Sequence, residues 1–154
     1  MKVHQEDSVI HILLADDDKD DHFFFNRVLK SLPNKTELQI VDDGEKLMTY
    51  LIENKDNLPQ VLFLNQNMPR KNGTECLNEI KNNQLLKDLP VIVYSTDIYE
   101  DAEDFLYNTG AHYYIRKTGL DNLKKVITRV LHLISSNQFE RPTRSKFILT
   151  PVEI

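Results

Sequence analysis

Two continuous apolar runs, each stopped by a polar cluster, constrain this chain more than any other feature. Val9-Ile10-His11-Ile12-Leu13-Leu14-Ala15 stops at Asp16-Asp17-Asp18, and Val61-Leu62-Phe63-Leu64 stops at Asn65-Gln66-Asn67. Runs of this kind suit strands buried on both faces, the condition at the centre of a parallel sheet. In open α/β sheets ligands bind at the carboxyl edge of the strands, where both clusters would lie.

The rest of the chain fits that frame. Strands are expected at 9–15, 37–41, 60–65, 90–95 and 112–116. Between the first two, Phe25, Val28, Leu29 and Leu32 recur at helical spacing and predict a helix over 19–32, closed by Pro33-Asn34. A second helix, 44–53, would pack Leu47, Met48, Leu51 and Ile52. A third, 73–83, would use Cys76, Leu77 and Ile80, and a fourth, 98–108, Ile98, Ala102, Phe105 and Leu106. The last, 120–134, aligns Leu120, Leu123, Ile127, Val130, Leu131 and Ile134. Strand–helix alternation implies right-handed crossovers and a parallel sheet covered on both sides.

With 154 residues and 40% hydrophobic content, one domain with a single core is expected. A net charge of −5 and no concentrated basic face argue against nucleic acid. No run approaches the roughly 20 apolar residues of a membrane span. The start of the chain lacks a signal-peptide pattern, and the lone Cys76 suits a reducing compartment, so a cytoplasmic protein without membrane contact is expected. Residues 135–154 change in composition, with Pro142 and Pro151 bracketing Phe147-Ile148-Leu149. Three clustered apolar residues in a short tail imply docking, within the chain or across a homodimer, and the dimer is the favoured expectation.

Three successive aspartates after a strand are electrostatically costly without partners or a cation. Helix capping accounts for Asp18, Asp20 and Asp21, because acids suit the first turn of a helix. Asp16 and Asp17 lie nearer the strand end, and a pair of carboxylates there would favour Mg²⁺.

These motifs resemble the receiver domain of two-component response regulators, over residues 9–134, with 135–154 as a C-terminal extension. The resemblance is carried by Ile12-Leu13-Leu14-Ala15-Asp16-Asp17-Asp18, by Asn67-Met68-Pro69 with Gly73, by Pro90-Val91-Ile92-Val93-Tyr94-Ser95-Thr96, and by Gly110-Ala111 followed by Tyr114-Ile115-Arg116-Lys117. It is strongest to stand-alone receivers that carry no output domain. It implies a five-stranded parallel sheet flanked by five helices, of flavodoxin-like topology. It also implies that Asp16 and Asp17, with the Asn67 carbonyl, would hold Mg²⁺. Ser95 and Lys117 would contact a phosphoryl group, and Tyr114 would be the aromatic whose rotamer reports the switch. The partner would be a sensor histidine kinase or another signalling protein, met on the face of the fourth helix, fifth strand and fifth helix.

Two departures matter. Asn65 stands where the family's phosphoacceptor aspartate belongs, and an amide is not an anionic nucleophile. A site reduced from three acids to two should bind Mg²⁺ weakly, since each charge pair is worth roughly 4 kcal/mol at about 4 Å and an effective dielectric near 20. Thr118 replaces a proline that often follows the lysine with a cis bond. Without proline, cis costs about 3–4 kcal/mol, so a trans bond and an altered loop are expected. Gln66 is polar where an apolar residue is usual.

The expected function is therefore phosphorelay signalling by protein binding, as a pseudo-receiver that is not phosphorylated and is not an enzyme. The alternative is a conventional phospho-switch with an Asp-to-Asn substituted acceptor. A phosphatase-like enzyme using Asp16 is a weaker option. Asp16-x-Asp18 is similar to the opening motif of haloacid-dehalogenase-type phosphatases, but the chain continues Lys19-Asp20 where that motif has Gly-Thr or similar. The five histidines show no close metal-ligand spacing, and the glycines form no phosphate-cradling loop.

Overall fold

The computed structural model describes residues 8–96 and 100–150. Strands and helices alternate as β1 (Ile10–Ala15), α1 (Lys19–Ser31), β2 (Thr36–Val41), α2 (Gly44–Glu53), β3 (Val61–Asn65), α3 (Gly73–Lys81), β4 (Val91–Ser95), α4 (Glu100–Thr109), β5 (Tyr113–Arg116) and α5 (Leu120–Ser135). All neighbouring strands are parallel, in the order β2-β1-β3-β4-β5. This is the parallel sheet that the strand–helix alternation implied, in the five-stranded, five-helix α/β arrangement of flavodoxin-like topology that the resemblance implied. The continuous apolar runs form the central β1 and β3, and β3 and β4 are buried along their whole length.

The sheet divides the core in two. On one side Leu47 and Leu51 of α2, Leu77 and Ile80 of α3 and Leu106 of α4 cover Leu13, Leu62 and Val93. On the other, Phe25, Val28 and Leu29 of α1 and Val126, Ile127, Val130 and Leu131 of α5 cover Ile12, Phe63 and Ile92. Each such side chain contributes about 1.5–3 kcal/mol before ordering costs. Helices start at the carboxyl edge because the loops there end in caps. Asp18 accepts from the Asp20 N–H, Asp43 from the Lys46 N–H, and Asn72 with Glu75 forms a reciprocal capping box.

Several helical positions face away from the core. Ile52, Phe105 and Leu120 are exposed, although their spacing placed them on apolar faces. In α4 the buried stripe runs through Glu103 and Leu106, with Tyr107 packed on the core, and Phe105 is turned out. The reason lies in the segment after α5, which packs on α4 and draws the stripe toward itself. Ile98 and Pro151 lie outside the described residues.

That segment leaves α5 through Asn137, whose φ of 58° is the left-handed turn asparagine tolerates at a helix end. It runs beside β5 and α4. Phe139 stacks on Tyr113, and a 3-10 turn at Arg144–Lys146 leads into a parallel bridge between Ile148 and Tyr114. Phe147 and Leu149 are 0% and 2% exposed. In the single chain the tail docks on its own domain, one of the two arrangements expected for Phe147, Ile148 and Leu149. It also covers part of the face of α4, β5 and α5 that was expected to meet a partner. The Lys117–Thr118 bond is trans. Among the described residues no helix is long and apolar enough to cross a membrane.

Candidate functional site

At the carboxyl edge, the ends of β1, β3, β4 and β5 converge on Asp16. Its main chain extends β1 by donating to the Val41 carbonyl, and its side chain is fully buried. An isolated buried carboxylate would cost several kcal/mol, so its neighbours are decisive. Oδ1 accepts from the Asp18 N–H at 2.9 Å and from Asn65 Nδ2 at 3.2 Å. Oδ2 accepts from the Tyr94 hydroxyl and, at 3.4 Å, from Lys117 Nζ.

Asn65 closes β3 and is 5% exposed. Its amide nitrogen donates to Asp16 Oδ1 and, at 3.0 Å, to the Asn67 carbonyl. Its oxygen accepts from Lys117 Nζ at 3.2 Å. Two acceptors on one side and an ammonium on the other fix the orientation of the amide. The strand end can be approached this closely because residue 73 is glycine. A Cβ there would meet the Asn65 carbonyl oxygen at 2.6 Å and Gln66 Cα at 2.9 Å. Gln66 itself accepts from the Thr74 hydroxyl, which gives its polarity a local use.

Lys117 leaves β5 and reaches into the cluster. Its main-chain N–H donates to the Ser95 carbonyl at 2.9 Å, and its ammonium lies 4.4 Å from the centre of the Tyr94 ring. The shortest contact of the ammonium is to Asp21 Oδ2, at 2.7 Å. Ser95 is buried at the end of β4, and its carbonyl also accepts from the Tyr114 hydroxyl at 3.3 Å.

Of the residues singled out in the sequence, Asp16, Asn65, Asn67, Ser95 and Lys117 are brought together, with Tyr114 behind Ser95. Asp17 is exposed at the rim. Two members of the cluster escape the sequence reading. Asp21 fits helix capping, yet it is the closest partner of Lys117; its carboxyl is raised above 3.8 by burial first, then by Asp16. Tyr94 fits a strand interior, yet its hydroxyl binds Asp16; burial, then the Asp16 charge, pushes its ionisation well above the ordinary range. A phenol in an otherwise aliphatic strand was the available signal, because a buried tyrosine hydroxyl needs a partner.

A divalent cation at this edge would need oxygens free to face it. Asp16 Oδ1 and the Asn67 carbonyl, two of those oxygens, both face the Asn65 N–H₂. A hydrogen-bond donor and a cation cannot occupy the same position. Among the described residues no group of three acids, histidines or cysteines could hold a metal ion. With the Asn65 amide in this orientation, its N–H₂ already engages both oxygens.

A family model described as the response regulator receiver domain matches residues 12–128. The chain is 36% identical over 124 residues to response regulator Rcp1 of Synechocystis sp., covering 77% of this chain and 82% of that protein. The Mn²⁺-bound crystal structure of Rcp1 superposes with a TM-score of 0.68 at 35% identity, over 82% of this chain and 92% of that one. The phosphorylated cyanobacterial phytochrome response regulator RcpA superposes with a TM-score of 0.76 at 31% identity, over 84% of this chain and 96% of that one.

Proposed function

The chain belongs to the response regulator receiver family, and on that premise we propose that it signals by binding other proteins and takes no phosphoryl group at position 65. Asn65 is taken to stand at the phosphoacceptor position. The observation that carries this reading is the use made of its amide. Nitrogen and oxygen are both engaged by fixed partners, and neither is an anionic nucleophile.

Asp16, Asp17 and the Asn67 carbonyl are the remnant of a metal site, and Mg²⁺ binds weakly or not at all. Ser95 and Lys117 hold the positions of phosphoryl contacts, and Tyr114 that of the switch aromatic. In this reading the receiver spans 9–134, with 135–154 appended. It acts in the cytoplasm, without catalysis of its own, and its partner is a sensor histidine kinase or another signalling protein. Support for such a partner comes from RcpA, which is described as a phytochrome response regulator.

The second reading is a conventional phospho-switch whose acceptor has been substituted. It is favoured by the retention of Asp16, Ser95 and Lys117 around position 65. Both are tested by incubating the chain and its Asn65→Asp variant with acetyl phosphate and Mg²⁺ and measuring intact mass. The chain itself should show no adduct of about 80 Da, the mass of a phosphoryl group. An adduct on the unaltered chain refutes the first reading. Labelling of Asn65→Asp alone shows that the surrounding site still works.

A further inference from the structure

The open edge of β5 is flanked by acid. In α4 the Glu103 carboxylate is buried and Asp104 is exposed beside it. The segment after α5 answers both features. Arg144 Nε donates to Asp104 Oδ1 at 2.7 Å, and its Nη2 lies 3.6 Å from Glu103 Oε2. Further along, the Tyr114 N–H donates to the Phe147 carbonyl at 3.0 Å, and the Leu149 N–H donates to the Tyr114 carbonyl at 2.9 Å. Phe147 enters the core on the α4 side, edge-on to the Tyr107 ring at 5.3 Å. Leu149 enters the core on the α5 side.

This is strand addition in miniature. Main-chain bonds set the direction, pockets read alternate side chains, and charge fixes the register. Among the described residues two main-chain bonds attach the segment to β5, where β1 pairs with β2 over six residues. Over the described residues the seat is thus specific in its side-chain demands and light in its backbone hold.

We propose that the β5 edge and the acidic flank of α4 form a docking groove for an extended Arg-x-x-Phe-x-Leu segment added as a parallel strand. Residues 144–149 are its resident occupant, and a partner carrying such a segment binds by displacing them. A tethered segment competes at an effective concentration on the order of millimolar, so the intact chain discriminates strongly against weak segments. The proposal does not depend on whether position 65 takes a phosphoryl group.

The test adds a fluorescein-labelled peptide spanning residues 138–150 to the full-length chain and to the full-length Arg144→Glu/Phe147→Ala variant, reading anisotropy. The variant, its own tail weakened, should bind the peptide at least about tenfold more tightly than the unaltered chain. A peptide with Phe147→Ala should lose that binding. If the double variant does not fold, Arg144→Glu alone, which alters a half-exposed ion pair, serves in its place. Equal affinity for both chains, or no binding to either, overturns the proposal. So does an intact chain that sediments as a dimer dissociated by the peptide, since the tail would then be seated on a second copy.

Discussion

An amide at position 65 meets neighbours with opposite demands, and only an amide satisfies them together. Asp16 and the Asn67 carbonyl require a donor, while Lys117 requires an acceptor. Asn65→Asp removes the donor and places a carboxylate against Asp16. Without metal the variant should lose about 1–3 kcal/mol of stability, read as a lower denaturant midpoint, and recover it when Mg²⁺ is added. Unchanged midpoints would mean that Asp16 and residue 65 do not sense each other. Asp21 gives a second, pH-dependent consequence. Its carboxyl is raised in the folded state by burial and then by Asp16. Below 3.8 both states hold the proton; above it the unfolded chain releases first, so this contribution is lost as pH rises through the higher folded value. Asp21→Asn should flatten the fall in stability as pH rises above 3.8, measured by denaturant melts of both proteins. An unaltered slope would remove Asp21 from the site. The core of this cluster was legible in sequence because it lies at strand ends, where Asp16, Asn65, Ser95 and Lys117 each follow an apolar run. Asp21 was hidden because capping and ion pairing place the same residue type in the same helical turn.

Strand ends alone do not make the site; helix starts hold them in place. Gly73 is the clearest instance, because the first turn of α3 rests directly on the Asn65 carbonyl. Gly73→Ala should cost about 1–3 kcal/mol by overpacking and displace residue 65. Thermal melts measure the first effect. Shifts in the Asn65 and Gln66 amide resonances, beyond those of an alanine change elsewhere on α3, measure the second. Buried strands were readable from composition, since every residue of β3 and β4 is buried. Helix faces were less readable. The stripe through Phe105 satisfied helical periodicity, but α4 is covered by the sheet on one flank and by the tail on the other, and the buried Glu103 is held between Arg116 of β5 and Arg144 of the tail. Periodicity locates an apolar face; it does not see a buried charged residue paired with an arginine that arrives about forty positions later.

Taken whole, the molecule closes its sheet with its own C-terminal segment. The Phe147 ring is completely buried, so Phe147→Ala should cost about 3–5 kcal/mol, and the Leu149 amide should exchange faster with solvent. Native exchange at Leu149 in the variant would show that the bridge holds without the ring. The bridge has a further consequence through Tyr114. One residue donates its hydroxyl to the Ser95 carbonyl, while its backbone pairs with the tail on both sides. A perturbation at the Lys117 cluster and a perturbation at the tail therefore act on one shared group, and thermodynamic reciprocity applies. Whatever factor a ligand of the cluster imposes on tail release, tail release imposes on that ligand's affinity. A partner that captures the β5 edge would alter the acidic site without touching it.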